Sequence, residues 1–286
     1  IPKFIIGATV VSFATTMPEM LVSVFAALQG NADIAVGNAV GSVTANVGLI
    51  MCVALICMEC AMTRRQFGVK ACLLLAAILA LFGFTRDGQL SVLESVLILV
   101  IFVGFLVESL IAARQEQGSE LPAQEERPKI DKKTVLLNIG KFLLGAAGIV
   151  LGAQLLIDNG SALARMLGVP DAVIAATMIA IGTSLPELVT TLTAIKKKQA
   201  SLSVGNIIGA NIMDLTLIMP LCAVIQGKPM TVERQGMLLD IPACLIICAA
   251  ALIPALVQGK FKRWIGYLIG GLYIAYLIIM FTCFGA

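Results

Sequence analysis

The chain has 286 residues, 59% of them hydrophobic and 13% charged, with a formal net charge of +3 and a mean hydropathy of +0.99. Water-soluble domains are about 45–50% apolar and about 25% charged, so one aqueous core cannot bury this surplus and lipid has to act as solvent. A soluble enzyme, a nucleic-acid-binding module and a disordered regulator are thereby excluded, and the absence of His removes imidazole metal sites and His-based proton relays.

Apolar runs of about 20 residues predict nine spanning helices, over 4–28, 34–58, a short third at 69–85, 91–113, 135–164, 171–195, 201–226, 236–257 and 264–284. Ile1 opens into the first run without the basic region of a signal peptide. The hydrophilic stretch Arg114–Lys133 is too short for a folded domain and reads as a linker (114–133) between two halves, 1–113 and 134–286. Eight cysteines lie in or beside apolar runs without any C-x-x-C pair and read as packing residues. Basic residues orient the bundle. Arg64, Arg65 and Lys70, the linker lysines, Lys196-Lys197-Lys198, and Lys260, Lys262 and Arg263 fall in alternate loops. Sixteen of the 20 basic residues then share one face, expected to be cytoplasmic, and only Arg86, Arg165, Lys228 and Arg234 oppose them.

An internal repeat organises the rest. Pro2 to Ile50 aligns without a gap with Pro170 to Ile218 at a constant offset of 168, and 15 of the 49 positions are identical. The matches include Thr15/Thr183, Pro18/Pro186, Glu19/Glu187, Gly37-Asn38/Gly205-Asn206 and Gly41/Gly209. The first helix of one copy ends in the neutral turn Gln29-Gly30-Asn31, that of the other in the basic Lys197-Lys198-Gln199, so the copies are expected to face opposite ways. Inverted repeats are a transporter architecture with the substrate site near the midplane, where the copies meet. The helix over 135–164 precedes the second copy and would have its counterpart before Ile1, which makes ten helices the expected total.

In Thr15-Thr16-Met17-Pro18-Glu19 and Thr183-Ser184-Leu185-Pro186-Glu187 each proline removes a donor and frees carbonyls near Ala14 and Gly182. Such carbonyls survive at membrane depth only against a cavity or a ligand. An ionised carboxylate there costs about 2.5–3.5 kcal/mol on insertion scales, a penalty that a bound cation removes. Two carboxylates with carbonyl and hydroxyl oxygens form a hard-oxygen set suited to Ca2+, and neutral oxygens beside them suit Na+. Asn46 and Asp214 follow their Glu by 27 residues, which makes Asp214 a third intramembrane acid. Gly37/Gly41 and Gly205/Gly209 are expected to allow close helix packing, and Asn38 and Asn206 to bridge helices. Glu59, Glu94, Glu108, Asp158, Asp171 and Asp240 read as solvated or capping.

At these residues the chain resembles the calcium/cation antiporter superfamily, in particular the prokaryotic type of sodium/calcium exchanger, whose repeats carry G-T-S-L-P-E and G-N-x-x-G-[SA]-N. Gly182-Thr183-Ser184-Leu185-Pro186-Glu187 and Gly205-Asn206-Ile207-Ile208-Gly209-Ala210-Asn211 match closely, and Ala14-Thr15-Thr16-Met17-Pro18-Glu19 with Gly37-Asn38-Ala39-Val40-Gly41-Ser42 more loosely. The resemblance implies an all-α membrane protein of two inverted repeats, a monomeric secondary antiporter without enzymatic activity or cofactor, in the plasma or inner membrane. It implies Ca2+ on the carboxylates of Glu19 and Glu187 with the carbonyls of Thr15 and Thr183. Na+ would use Ser12, Thr16 and Ser42 on one side and Ala180 and Ser184 on the other, with Asn46 and Asp214 central. It also implies alternating access by sliding of the first helix of each half past the core, the first of that pair being the one expected before Ile1. Ala210 stands where Ser is frequent, and Ala14 and Val43 replace Gly and Asn, so Asp214 is also a candidate to carry a proton. Ca2+/H+ or K+-dependent exchange is the alternative. An aspartyl-type protease lacks its Gly-Asp signature here, and carboxylates this dehydrated would hold ions too tightly for a channel.

Overall fold

The computed structural model describes residues 3–61, 64–117 and 165–284, with scattered positions between 137 and 163. The predicted linker falls outside the described residues from 118 onward, and the described positions between 137 and 166 are helical, within or beside the fifth predicted span. The remaining elements are α1 (residues 3–15), α2 (Met17–Leu28), α3 (Ala32–Cys57), α4 (Arg64–Phe84), α5 (Val92–Gln117), α6 (residues 171–183), α7 (Leu185–Lys196), α8 (Ala200–Gln226), α9 (Gly236–Gln258) and α10 (Arg263–Cys283). Six of them are long and apolar enough to cross a membrane. The pairs α1–α2 and α6–α7, each bent by 50° at its break, raise the number to eight.

The bends fall where the sequence places them. Pro18 and Pro186 sit in the first turn of α2 and α7, where the missing N–H is no loss and the fixed φ starts a new helix. The third predicted span is not short: α4 has 21 residues, because its opening Arg64-Arg65-Gln66 is helical but lies outside the apolar run. Five π-helical segments were not foreseen, of which one, Gly236–Asp240, opens α9 and the other four fall in pairs. Gly7–Val11 and Ala175–Ile179 interrupt α1 and α6, and Asn46–Met51 and Asp214–Ile218 interrupt α3 and α8. The members of each pair begin 168 residues apart, so the distortion obeys the repeat. Each widened turn adds a residue without changing hydropathy, which hides it from apolar periodicity, and such turns gather at functional sites.

Two short strand pairs prove the inversion. β1 (Cys60–Ala61), after α3, pairs antiparallel with β4 (Lys260–Phe261), between α9 and α10. β2 (Gln89–Leu90), between α4 and α5, pairs with β3 (Met230–Thr231), between α8 and α9. α3 therefore runs toward the β1–β4 end and its repeat mate α8 toward the β2–β3 end. The loop of Arg64 and Arg65 adjoins that of Lys260 and Lys262 at one end, and Arg86, Lys228 and Arg234 mark the other, the separation expected from charge.

α3 and α8 are the most enclosed spans, and α5 turns most of its surface outward. Two glycines permit the central crossings. A Cβ on Gly41 would lie 2.8 Å from the Ala176 carbonyl oxygen and 2.9 Å from Ala180 Cβ. One on Gly209 would strike the Ala8 carbonyl oxygen and lie 2.6 Å from Ser12 Oγ. α3 thus packs backbone to backbone on α6, and α8 on α1. Of the peripheral acids, Glu94 accepts from the Ser91 amide in a capping box, as expected. Two others differ from expectation. Glu108 forms an ion pair with the fully buried Lys70, whose Nζ lies 5.9 Å from the centre of the Phe105 ring. Asp240 is buried and accepts from Tyr276 Oη at 3.0 Å and Gln235 Nε2 at 3.1 Å. Lys70 and Tyr276 lie 38 and 36 residues from the acids they meet, too far along the chain for a local reading to find the pairing. All eight cysteines are free thiols.

Candidate cation-binding site

The two helix breaks meet at the centre of the molecule, and each repeat reaches into the other. Ser184 Oγ donates to Glu19 Oε1 at 3.0 Å, and its repeat mate Thr16 Oγ1 points to Glu187 Oε1 at 3.5 Å. The residues before them pair in the same crossed manner. Thr183 Oγ1 donates to Asn38 Oδ1 at 3.1 Å, and Thr15 Oγ1 to Asn206 Oδ1 at 3.2 Å. The asparagines then anchor to the helix after the break: Asn38 Nδ2 donates to Ser23 Oγ at 2.9 Å and Asn206 Nδ2 to Thr190 Oγ1 at 3.0 Å. Asn38 and Asn206 thus bridge helices, as expected, and they hold the breaks together.

Glu19 is 1% exposed, and Glu187 and Asp214 are 0% exposed. The three carboxyl groups lie within electrostatic range of one another, and among the described residues none is paired with a Lys or Arg. Their hydrogen bonding is incomplete. Glu19 Oε2, Glu187 Oε2, both oxygens of Asp214 and Asn46 Oδ1 are buried acceptors with no donor. Buried polar atoms are almost always satisfied, so five orphaned acceptors in one region mark a place built for something that supplies positive charge. A site of three or more Asp, Glu, Cys or His side chains in metal-holding geometry does not occur among the described residues. A cation between the two breaks would draw its other ligands from neutral oxygens.

The neutral groups sort differently from the resemblance in one respect. Ser42 Oγ lies 3.4 Å from the Ala180 carbonyl oxygen and 3.3 Å from Thr183 Oγ1, so it joins the break of the second repeat instead of Ser12 and Thr16. Thr16 Oγ1 donates to the Ser12 carbonyl at 2.7 Å, and Ser12 Oγ to the Thr9 carbonyl at 3.1 Å. Asn46 and Asp214 open the π segments of α3 and α8, and Asn46 Nδ2 donates to Asn211 Oδ1 at 2.9 Å. Asn211 closes the second G-N-x-x-G-[SA]-N match but was given no role, because its repeat mate is Val43 and no matched pair drew attention to it.

Inverted repeats, paired broken helices and buried, unpaired carboxylates at their meeting point define a multi-pass membrane transporter of the cation-exchanging class. The chain belongs to the sodium/calcium exchanger protein family, whose model matches residues 1–111 and 137–282. It is 28% identical to the sodium/calcium exchanger MaX1 of Methanosarcina acetivorans over 98% of this chain and 89% of that protein. It is 31% identical to the inner membrane protein YrbG of Escherichia coli, over 98% of this chain and 87% of that one. A solved structure of the sodium-calcium exchanger NCX_Mj superposes with a TM-score of 0.77 at 27% identity, covering 97% of this chain and 87% of that one.

Proposed function

We propose that this chain is a secondary antiporter that exchanges Ca2+ for Na+ by alternating access. Ca2+ sits between Glu19 and Glu187, with the carbonyls of Thr15 and Thr183 completing its oxygen shell. Na+ uses the neutral oxygens beside it, from Ser12 and Thr16 on one side and Ser42, Ala180 and Ser184 on the other, while Asn46 and Asp214 form the central position. The observation that carries the reading is the set of five buried acceptor oxygens without donors. Carboxylate and amide oxygens without sulfur or imidazole favour a hard cation. Further support comes from the relatives, since MaX1 is named a sodium/calcium exchanger and NCX_Mj was solved in Na+ and Sr2+. The protein works as a monomer in the plasma or inner membrane, with the 114–133 linker and the basic face in the cytoplasm. Ca2+/H+ exchange is the second reading, favoured by Ala210, which supplies no hydroxyl where Ser42 supplies one in the other repeat.

Radiolabelled Ca2+ uptake into proteoliposomes, under separately imposed Na+ and pH gradients and with K+ omitted, tests both readings. Uptake driven by outward Na+ alone is the expected result. Uptake that follows only the pH gradient establishes the second reading, and uptake under neither overturns both.

The crossed hydroxyls carry unequal weight. A hydrogen bond to a charged group contributes about 1.5–3 kcal/mol, and Ser184 makes the shorter one. Ser184→Ala is expected to raise the half-saturating Ca2+ concentration about tenfold, the equivalent of about 1.4 kcal/mol, and Thr16→Ala by less. Equal half-saturation in Ser184→Ala and the unaltered protein would show that this hydroxyl does not position Glu19.

A further inference from the structure

The central position contains an asymmetry that the repeat does not explain. Asn46 and Asp214 are repeat mates, yet Asn46 has a partner from the opposite repeat and Asp214 has none. That partner is Asn211, one turn before Asp214 on α8, and the corresponding residue one turn before Asn46 is Val43. Both amides are fully buried.

A carboxamide has a donor end and an acceptor end, and its neighbours decide which end faces a site. Asn46 Nδ2 is spent on Asn211 Oδ1, which leaves Asn46 Oδ1 unpartnered and buried. In this arrangement Asn46 keeps its oxygen for the central position, and Asn211 Nδ2 is the buried donor left without an acceptor among the described residues. Turned the other way, Asn46 would present an NH2 group, whose partial positive charge repels a cation. An acceptor at position 211 occupies the NH2 end of Asn46, and the hydrocarbon of Val43 shows that the repeat does not need a polar group there for packing.

We propose that Asn211 is a specificity-determining positioning residue, which holds the Asn46 amide with its oxygen toward the cation in the central position. This rests on the reading that the cavity takes a cation, and it assigns Asn211 no contact with that cation. Leu at 211 keeps the branched outline of Asn in a bulkier form and has no acceptor, whereas Asp keeps an oxygen within reach of Asn46 Nδ2.

The test is cation-induced thermal stabilisation of the full chain in detergent, which reads binding directly and needs no transport. Midpoints are recorded against Na+ and Ca2+ concentration for the unaltered protein, Asn211→Leu and Asn211→Asp. Asn211→Leu is expected to need about tenfold more of at least one cation for half-maximal stabilisation, so the Na+/Ca2+ selectivity ratio shifts, each variant being read against its own cation-free midpoint, which overpacking lowers in Asn211→Leu. Asn211→Asp should stay within about threefold of the unaltered protein, because the oxygen that receives Asn46 Nδ2 is retained. An unchanged selectivity ratio in Asn211→Leu, or an Asn211→Asp variant as weakened as Asn211→Leu, overturns the proposal. If neither ion stabilises the unaltered protein, the cation reading itself fails and the proposal falls with it. Stabilisation without Ca2+ flux in vesicles would count against the exchange reading alone.

Discussion

Glu187→Gln is expected to abolish Ca2+ uptake, lowering it by at least about 100-fold, while the protein still folds. The substitution keeps the shape and a carbonyl oxygen for the Thr16 hydroxyl, but it removes the charge and puts an NH2 group where Oε2 now has no partner. Removing one member of a buried charge pair costs about 3–5 kcal/mol, which corresponds to two to three orders of magnitude or more in affinity. In the proposed site the other member is the cargo, so the loss would fall on binding. The inverted repeat adds a sharper requirement. Glu19 has the same partner type, the same burial and one orphaned oxygen, so Glu19→Gln should fail to the same degree. Ca2+ uptake within threefold of the unaltered protein in either variant, at matched expression and thermal midpoint, would sink the paired-carboxylate site.

The second large effect is expected at Gly209. Its missing Cβ is what allows α8 to lie on the α1 backbone, since a methyl there meets the Ala8 carbonyl and the Ser12 hydroxyl. Overpacking costs about 1–3 kcal/mol where side chains can yield, and a backbone carbonyl yields less. Gly209→Ala should lower the thermal midpoint in detergent and reduce transport sharply, because the displaced α1 carries Thr15 and Thr16 into the site. Gly41→Ala should do the same through the Ala176 carbonyl at 2.8 Å. Gly271→Ala, with nothing within 4 Å, is the control and should leave both readouts unchanged. Equal midpoints for Gly209→Ala and Gly271→Ala would contradict the close crossing.

The repeat made much of this architecture readable from residues alone. A Pro-Glu pair and a Gly-Asn-x-x-Gly recurring at one offset led to the broken helices, their inversion, the buried acids and the asparagine bridges, because each needs a residue type that apolar composition does not supply by chance. What stayed hidden depends on contacts between the copies. Ser184 meeting Glu19, and Ser42 joining Ala180 and Thr183, follow from how the two breaks interlock, which spacing within either copy does not encode. Asn211 was seen only as a motif residue and its pairing was missed for the opposite reason, since it departs from the symmetry that guided the reading. Asp240 and Glu108, assigned to water by their position along helices, are enclosed by Tyr276 and Lys70 from distant parts of the chain.

The paired strands have a mechanical consequence. β1–β4 and β2–β3 stitch one half of the protein to the other at both ends of the bundle, so α3–α5 and α8–α10 form a laced frame. Among the described residues, α1–α2 and α6–α7 have no such stitch. They rest on the frame where Gly41 and Gly209 let backbone meet backbone, and through the side-chain bridges of Asn38 and Asn206. The segments that carry Glu19 and Glu187 are thus held to the frame by side-chain hydrogen bonds and close crossings alone, while the frame itself is also tied by backbone pairing at both ends.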